Sequence, residues 1–300
     1  MNLLHAGRPA LITAALGALI CLSACGSPDN AGDEQADAAR ENVDAMSREH
    51  ADDNANPSAG AGIAPERAVV AETLPYAEVN DELVYGHFVF PADMVEPLPA
   101  LIVVHEWWGL NDGVRAMADR LAGEGYIVLA IDLFGGNTAT SPDVARDLML
   151  SVVEDPESAN ENIRRAYEFV NEVAEAPRVG TVGWCFGGGW SLNAAMLLPD
   201  DIDATVIYYG QVTKDEERLR PIQAPILGLF GEEDSGITVE SVRGFEEALE
   251  RLRKNYKIEI YPDARHAFAN PSGRNYNPEI AEQAWEETIN FLDLHLSINN

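Results

Sequence analysis

Residues 179–198 read VGTVGWCFGGGWSLNAAMLL. The first six are apolar without alternation, the pattern of a strand covered on both faces. The run from Ser191 to Leu198 continues as a buried helix. Between them Gly183, Trp184, Cys185, Phe186 and Gly187 form the strand–turn–helix context of a nucleophile elbow, with cysteine at its centre. The turn is tight, so a side chain two positions either side of Cys185 would collide with it. The elbow also sets the sulfur at a helix N-terminus, whose partial positive charge favours thiolate. The competing reading is a small buried hydrophobe in a glycine-rich corner.

Outward from this stretch, short apolar runs alternate with amphipathic segments. VYGHFVF (84–90) reads as an early strand paired antiparallel with the segment before it. LIVV (101–104), IVLAI (127–131), ATVI (204–207), ILGLF (226–230) and YKIEIY (256–261) read as further strands. Residues 111–124, 157–175, 238–254 and 279–297 read as helices. The last places Ala281, Trp285, Ile289, Leu292 and Leu296 on one face. This predicts an α/β fold: one domain over 67–300, a mostly parallel central sheet, helices on both faces and right-handed crossovers. Functional residues are then expected at the carboxyl ends of strands.

After Cys185 only two histidines follow. His295 falls on the last helix, whereas His266 sits in PDARHAFANPSG after the last strand. Asp234, in GEED after ILGLF, is a candidate to orient the base, with Glu232, Glu233 and Asp263 as rivals. Nucleophile, acid and base would then follow in the order used by elbow hydrolases. LIVV runs into His105-Glu106-Trp107-Trp108, where such enzymes find their second oxyanion donor. The backbone N–H groups of Trp107 and Phe186 are the expected pair. Trp108, Phe134, Trp184 and Phe268 suggest an aromatic substrate pocket. His105 receives no role.

The formal net charge of −30 excludes nucleic-acid binding, since little basic charge is available for phosphates. MNLLHAGR followed by an apolar stretch to Ala24 has the length of a signal-peptide core rather than a membrane span. It ends in Leu22-Ser23-Ala24-Cys25-Gly26, which looks like a bacterial lipobox. The expectation is a signal peptide over 1–24, lipidation at Cys25, and anchoring in the outer membrane facing the periplasm. Residues 25–66 are acidic and lack aromatics, so a disordered tether is expected there. With Cys21 removed and Cys25 lipidated, Cys185 would be the sole thiol of the folded region.

HEWWGLN, the strand ending IDLF, GWCFGG, GEED and RHAF, in this order, resemble the dienelactone hydrolase family of α/β-hydrolases over residues 80–298. The resemblance implies a Cys185–Asp234–His266 triad. It also implies that Glu106 stands near the resting thiol and takes part in forming the thiolate. Family members that open dienelactone hold its carboxylate with two arginines. Here Gly135-Gly136-Asn137 follows Phe134, and Asn270 stands four residues after His266; Arg265 and Arg274 are nearby but out of place. The expected activity is hydrolysis of a small carboxylic ester or lactone through a thioester, with neutral acyl groups preferred. A thioesterase or peptidase on the same fold, and a non-catalytic binding lipoprotein, are the alternatives. No cofactor and no metal are expected, because no ligand cluster has suitable spacing along the chain, and the membrane is met only through the lipid.

Overall fold

Apolar residues in the strand runs go to both faces of one sheet. The structure, a computed structural model, describes residues 40–51 and 63–297; the signal, the lipobox and most of the expected tether lie outside them. The strands are β1 (Val69–Val79), β2 (Glu82–Pro91), β3 (Ala100–Val104), β4 (Ile127–Ile131), β5 (Val179–Trp184), β6 (Ala204–Tyr208), β7 (Ile226–Gly231) and β8 (Tyr256–Tyr261). They form one eight-stranded sheet in the order β1-β2-β4-β3-β5-β6-β7-β8. β1 and β2 make the expected hairpin, closed by Asn80 and Asp81 with φ of 52° and 63°, the left-handed pair that suits a two-residue turn. β2 runs antiparallel to β4, and β3 to β8 are parallel.

The helices are α1 (40–49), α2 (Asp112–Glu124), α3 (Pro142–Glu154), α4 (Pro156–Glu168), α5 (Phe186–Leu197), α6 (Glu216–Leu219), α7 (Val239–Arg251) and α8 (Pro278–Leu296). Alternation along the strands fills two cores. Leu101, Val103, Val128 and Ala130 meet α2, α3 and α8; Ile102, Val104, Leu129 and Ile131 meet α4 and α7. The expected helices appear with ends shifted by three residues or fewer, and 157–175 closes in a π-helical turn over Phe169–Val173. α3 was not expected. Its start is nonetheless written in the chain, for Ser141 caps it by accepting from Val144 N–H and Pro142 takes the first turn.

One expectation needs correcting. Within the segment read as a disordered tether, residues 40–49 form α1, which docks on the domain. Val43 and His50 are buried, at 5 % and 2 % exposure. The acidic composition of 25–66 hides a helical face: Val43, Met46 and His50 are spaced three and four apart.

Candidate active site

Strand ends deliver the expected residues to one place. Cys185 joins β5 to α5 with φ 58° and ψ −120°, a conformation that costs a non-glycine residue about 1–3 kcal/mol. Its N–H donates to the Tyr208 carbonyl at 3.0 Å, which pins the turn to the neighbouring strand. The flanking glycines are required by space. A Cβ on Gly183 would sit 2.0 Å from the Gly187 carbonyl oxygen, and one on Gly187 would sit 2.1 Å from that of Val104.

From the loop after β8, His266 points Nδ1 at Asp234 Oδ2 across 2.7 Å; both residues are buried. Asp234 follows β7, and its other carboxylate oxygen accepts the N–H groups of Gly236 and Ile237 at 2.9 and 2.8 Å. These bonds fix the acid and leave His266 Nε2 facing the thiol. The rivals stand elsewhere. Glu232 and Asp263 are exposed, and exposed Glu233 pairs with Arg265 at 3.0 Å. Burial pushes the Cys185 thiol up, but the charge and hydrogen bond of His266, joined by His50, bring it down to about 6. Burial alone would lower His266; the charges of Asp234 and Cys185 and their hydrogen bonds instead hold it well above the usual histidine value.

His105, given no role by the sequence, organises the loop after β3. Its Nε2 accepts the Leu133 N–H at 3.0 Å, so Nδ1 carries the proton and donates to the Glu106 carbonyl at 2.6 Å. Burial pulls its pKa down, in keeping with a neutral ring. Gly109 N–H meets the same carbonyl at 3.1 Å. In a planar trans peptide this turns the Trp107 N–H the opposite way. Phe186 is the first residue of α5, where N–H groups lack an intrahelical acceptor. The Glu106 side chain accepts from Asn270 Nδ2 at 2.6 Å.

Beside Glu106 lies a cavity of about 30 Å³ whose walls include Trp108, Trp184, Tyr209 and Asn270. Two of the four expected pocket aromatics are therefore there. Phe134 packs on His105 and Phe186, with ring centroids 4.5 and 5.5 Å away. Phe268 is fully buried against Tyr209 and Tyr261 and belongs to the core beneath the site. Tyr209 was missed because it reads as the tail of β6. Its ring lies 5.2 Å from that of His266.

α1 was also missed, and it crosses the site. Met46 Sδ lies 3.4 Å from Cys185 Sγ, and the His50 ring lies 4.9 Å from the rings of both Trp107 and His266. Arg274 reaches toward this strap, donating to the Glu49 carbonyl at 3.5 Å.

The family model described as "Dienelactone hydrolase family" matches residues 85–296, well over half of the chain. The chain belongs to the dienelactone hydrolase family. It is 32 % identical over 240 residues to the "Putative carboxymethylenebutenolidase" of Saccharolobus solfataricus, covering 68 % of this chain and 92 % of that protein. It is 33 % identical over 209 residues to "Protein usf" of Aquifex pyrophilus, covering 66 % and 89 %. Among solved structures, the "Putative Dienelactone Hydrolase" of Klebsiella pneumoniae superposes with a TM-score of 0.68 at 24 % identity, covering 75 % of this chain and 98 % of that one. That likeness shows the shared α/β-hydrolase fold. As a dienelactone hydrolase family member, the chain is a carboxylic ester hydrolase.

Proposed function

We propose that this family member hydrolyses a small, neutral carboxylic ester or lactone with Cys185 as nucleophile, His266 as acid and base, and Asp234 as the residue that orients it. The observation that carries this is the pairing of His266 Nδ1 with Asp234 Oδ2 at 2.7 Å, with the free edge of the ring turned to a thiol at a strained elbow.

The thiolate attacks the acyl carbon, and the carbonyl oxygen gathers negative charge toward the N–H groups of Trp107 and Phe186. As the tetrahedral intermediate collapses, the C–O bond to the alcohol breaks and His266 supplies the proton that the alkoxide takes. His266, now neutral, removes a proton from water, which attacks the thioester. The carbon–sulfur bond breaks, carboxylic acid leaves, and the thiolate–imidazolium pair returns. Glu106, held by Asn270, stands beside this path as the carboxylate that the family resemblance links to thiolate formation.

Neutral substrates are favoured by what has become of the nearby cations. Arg265 is exposed and paired with Glu233, and Arg274 faces the strap. Asn270 spends its amide on Glu106, and the chain carries a net charge of −30, which repels anions. The lipobox-like Leu22–Cys25 supports a lipid-anchored enzyme in the periplasm. The test is a panel of neutral and anionic esters, lactones and thioesters, with the acyl-enzyme sought by mass spectrometry after acid quench. An acyl group on Cys185 with faster turnover of neutral substrates is expected. Full activity in Cys185→Ala would sink the mechanism.

A further inference from the structure

Along the chain no metal-ligand cluster has the usual spacing, yet the fold assembles one. Cys185 comes from the elbow, His266 from the loop after β8 and His50 from the end of α1. One donor atom of each lies within 4.8 Å of the other two, and all three residues are buried. The proposed mechanism employs the first two and gives His50 no step.

We propose that Cys185, His266 and His50 bind one thiophilic d-block cation, with Met46 as a weaker fourth donor, and that the ion pins α1 over the nucleophile. The regulatory half of this rests on the hydrolase reading above.

The donor set carries the argument. A thiolate and two imidazoles suit Zn(II), and an added thioether favours Cu(I); hard cations such as Mg(II) and Ca(II) prefer oxygen. Met46 Sδ already lies 3.4 Å from Cys185 Sγ. Asp234 holds His266 Nδ1 at 2.7 Å, so Nε2 is the ring atom presented, and the carboxylate backs the ligand as in many metal sites. Tetrahedral coordination at ordinary bond lengths puts donors roughly 3.3–3.6 Å apart, so the set must contract by about 1 Å at its widest. That contraction falls to α1. It is a separate helix seated by Val43, Met46 and His50 and by the Arg146–Asp44 ion pair at 2.6 Å. With α1 seated, the gap among Met46, Glu49, His50, Gln211, Ile237 and His266 is only about 10 Å³, which excludes substrate. Binding displaces the proton shared by Cys185 and His266 to solvent, and no electrons move.

The test titrates the full-length, chelator-treated protein with Co(II), then competes Zn(II) against a chelating dye and Cu(I), kept anaerobic, against a Cu(I)-specific chelator. One Co(II) per chain is expected, with a thiolate-to-metal charge-transfer band that Cys185→Ser abolishes. His50→Ala and His50→Gln should each weaken Zn(II) at least tenfold, and Met46→Leu should weaken Cu(I) more than Zn(II). Zn(II) should stop ester turnover until a chelator removes it. Absence of the charge-transfer band, or Zn(II) affinity unchanged from wild type in both His50 variants, would overturn the site. Equal Cu(I) affinity in Met46→Leu would overturn the fourth donor. A protein that binds the ion but turns over no ester overturns the hydrolase reading and leaves the site standing; one that hydrolyses esters but binds no ion does the reverse.

Discussion

His105 donates from Nδ1 to the backbone carbonyl of Glu106 across 2.6 Å, and that bond aims the next peptide N–H, of Trp107, away from the carbonyl. If this amide holds the oxyanion, His105 acts through it without touching substrate. His105→Ala is expected to lower kcat about 100-fold, near the worth of one oxyanion donor, and to leave KM within about threefold. Steady-state kinetics separate the two parameters. Equal losses in binding and turnover would point to general collapse of the loop instead.

The acid limb of the pH profile follows from the thiol. Its pKa is brought down to about 6, so the thiolate prevails above that pH and is lost as pH falls through it. The value belongs to the coupled Cys185–His266 pair, and kcat/KM should fall on acidification with that apparent midpoint. His266→Gln removes the cation and keeps the burial, which pushes the thiol upward. Alkylation by iodoacetamide at neutral pH, followed by intact mass, should then slow at least about tenfold relative to wild type. An unchanged rate would show that His266 does not set the thiol's charge.

Asn270, which donates to Glu106, stands where the family resemblance sets an arginine. Asn270→Arg restores that cation within reach of the same carboxylate and of the cavity walled by Trp108 and Trp184. The ratio of kcat/KM for anionic over neutral esters should rise about tenfold, equivalent to 1.4 kcal/mol of new attraction. A ratio that stays put would place the acyl carboxylate elsewhere.

Elbow and sheet were legible because each rests on local rules. Gly183 and Gly187 announce a backbone approach too close for a Cβ, and the structure shows it. Gly187→Ala is accordingly expected to abolish folding or cost more than about 3 kcal/mol, read by urea titration. Strands β3 to β7 read as near-continuous apolar runs because both faces are covered. What stayed hidden depends on contacts between distant segments. His105 has no local signature, since its partners are a neighbouring carbonyl and the N–H of Leu133. Phe268 looks like a pocket aromatic until Tyr209 and Tyr261 close over it. α1 was lost in averaging, because three apolar-facing positions carry little weight among so many acids and alanines.

The last prediction concerns that helix without any metal. Val43 and Met46 supply its apolar face, and fully burying such a side chain contributes roughly 1.5–3 kcal/mol. Exposed ion pairs such as Arg40–Glu154 at 3.4 Å add little. If substrate reaches Cys185 only when α1 lifts, the cost of undocking this face lowers its apparent affinity. Val43→Asp places a charge where burial is needed and leaves the sheet untouched. In chelator-treated enzyme it should raise kcat/KM for a bulky ester about tenfold or more, with a smaller gain for a compact one. Amide hydrogen exchange over 40–50 should quicken in parallel. If exchange quickens while kcat/KM for the bulky ester does not move, substrate reaches Cys185 by a route that α1 does not guard.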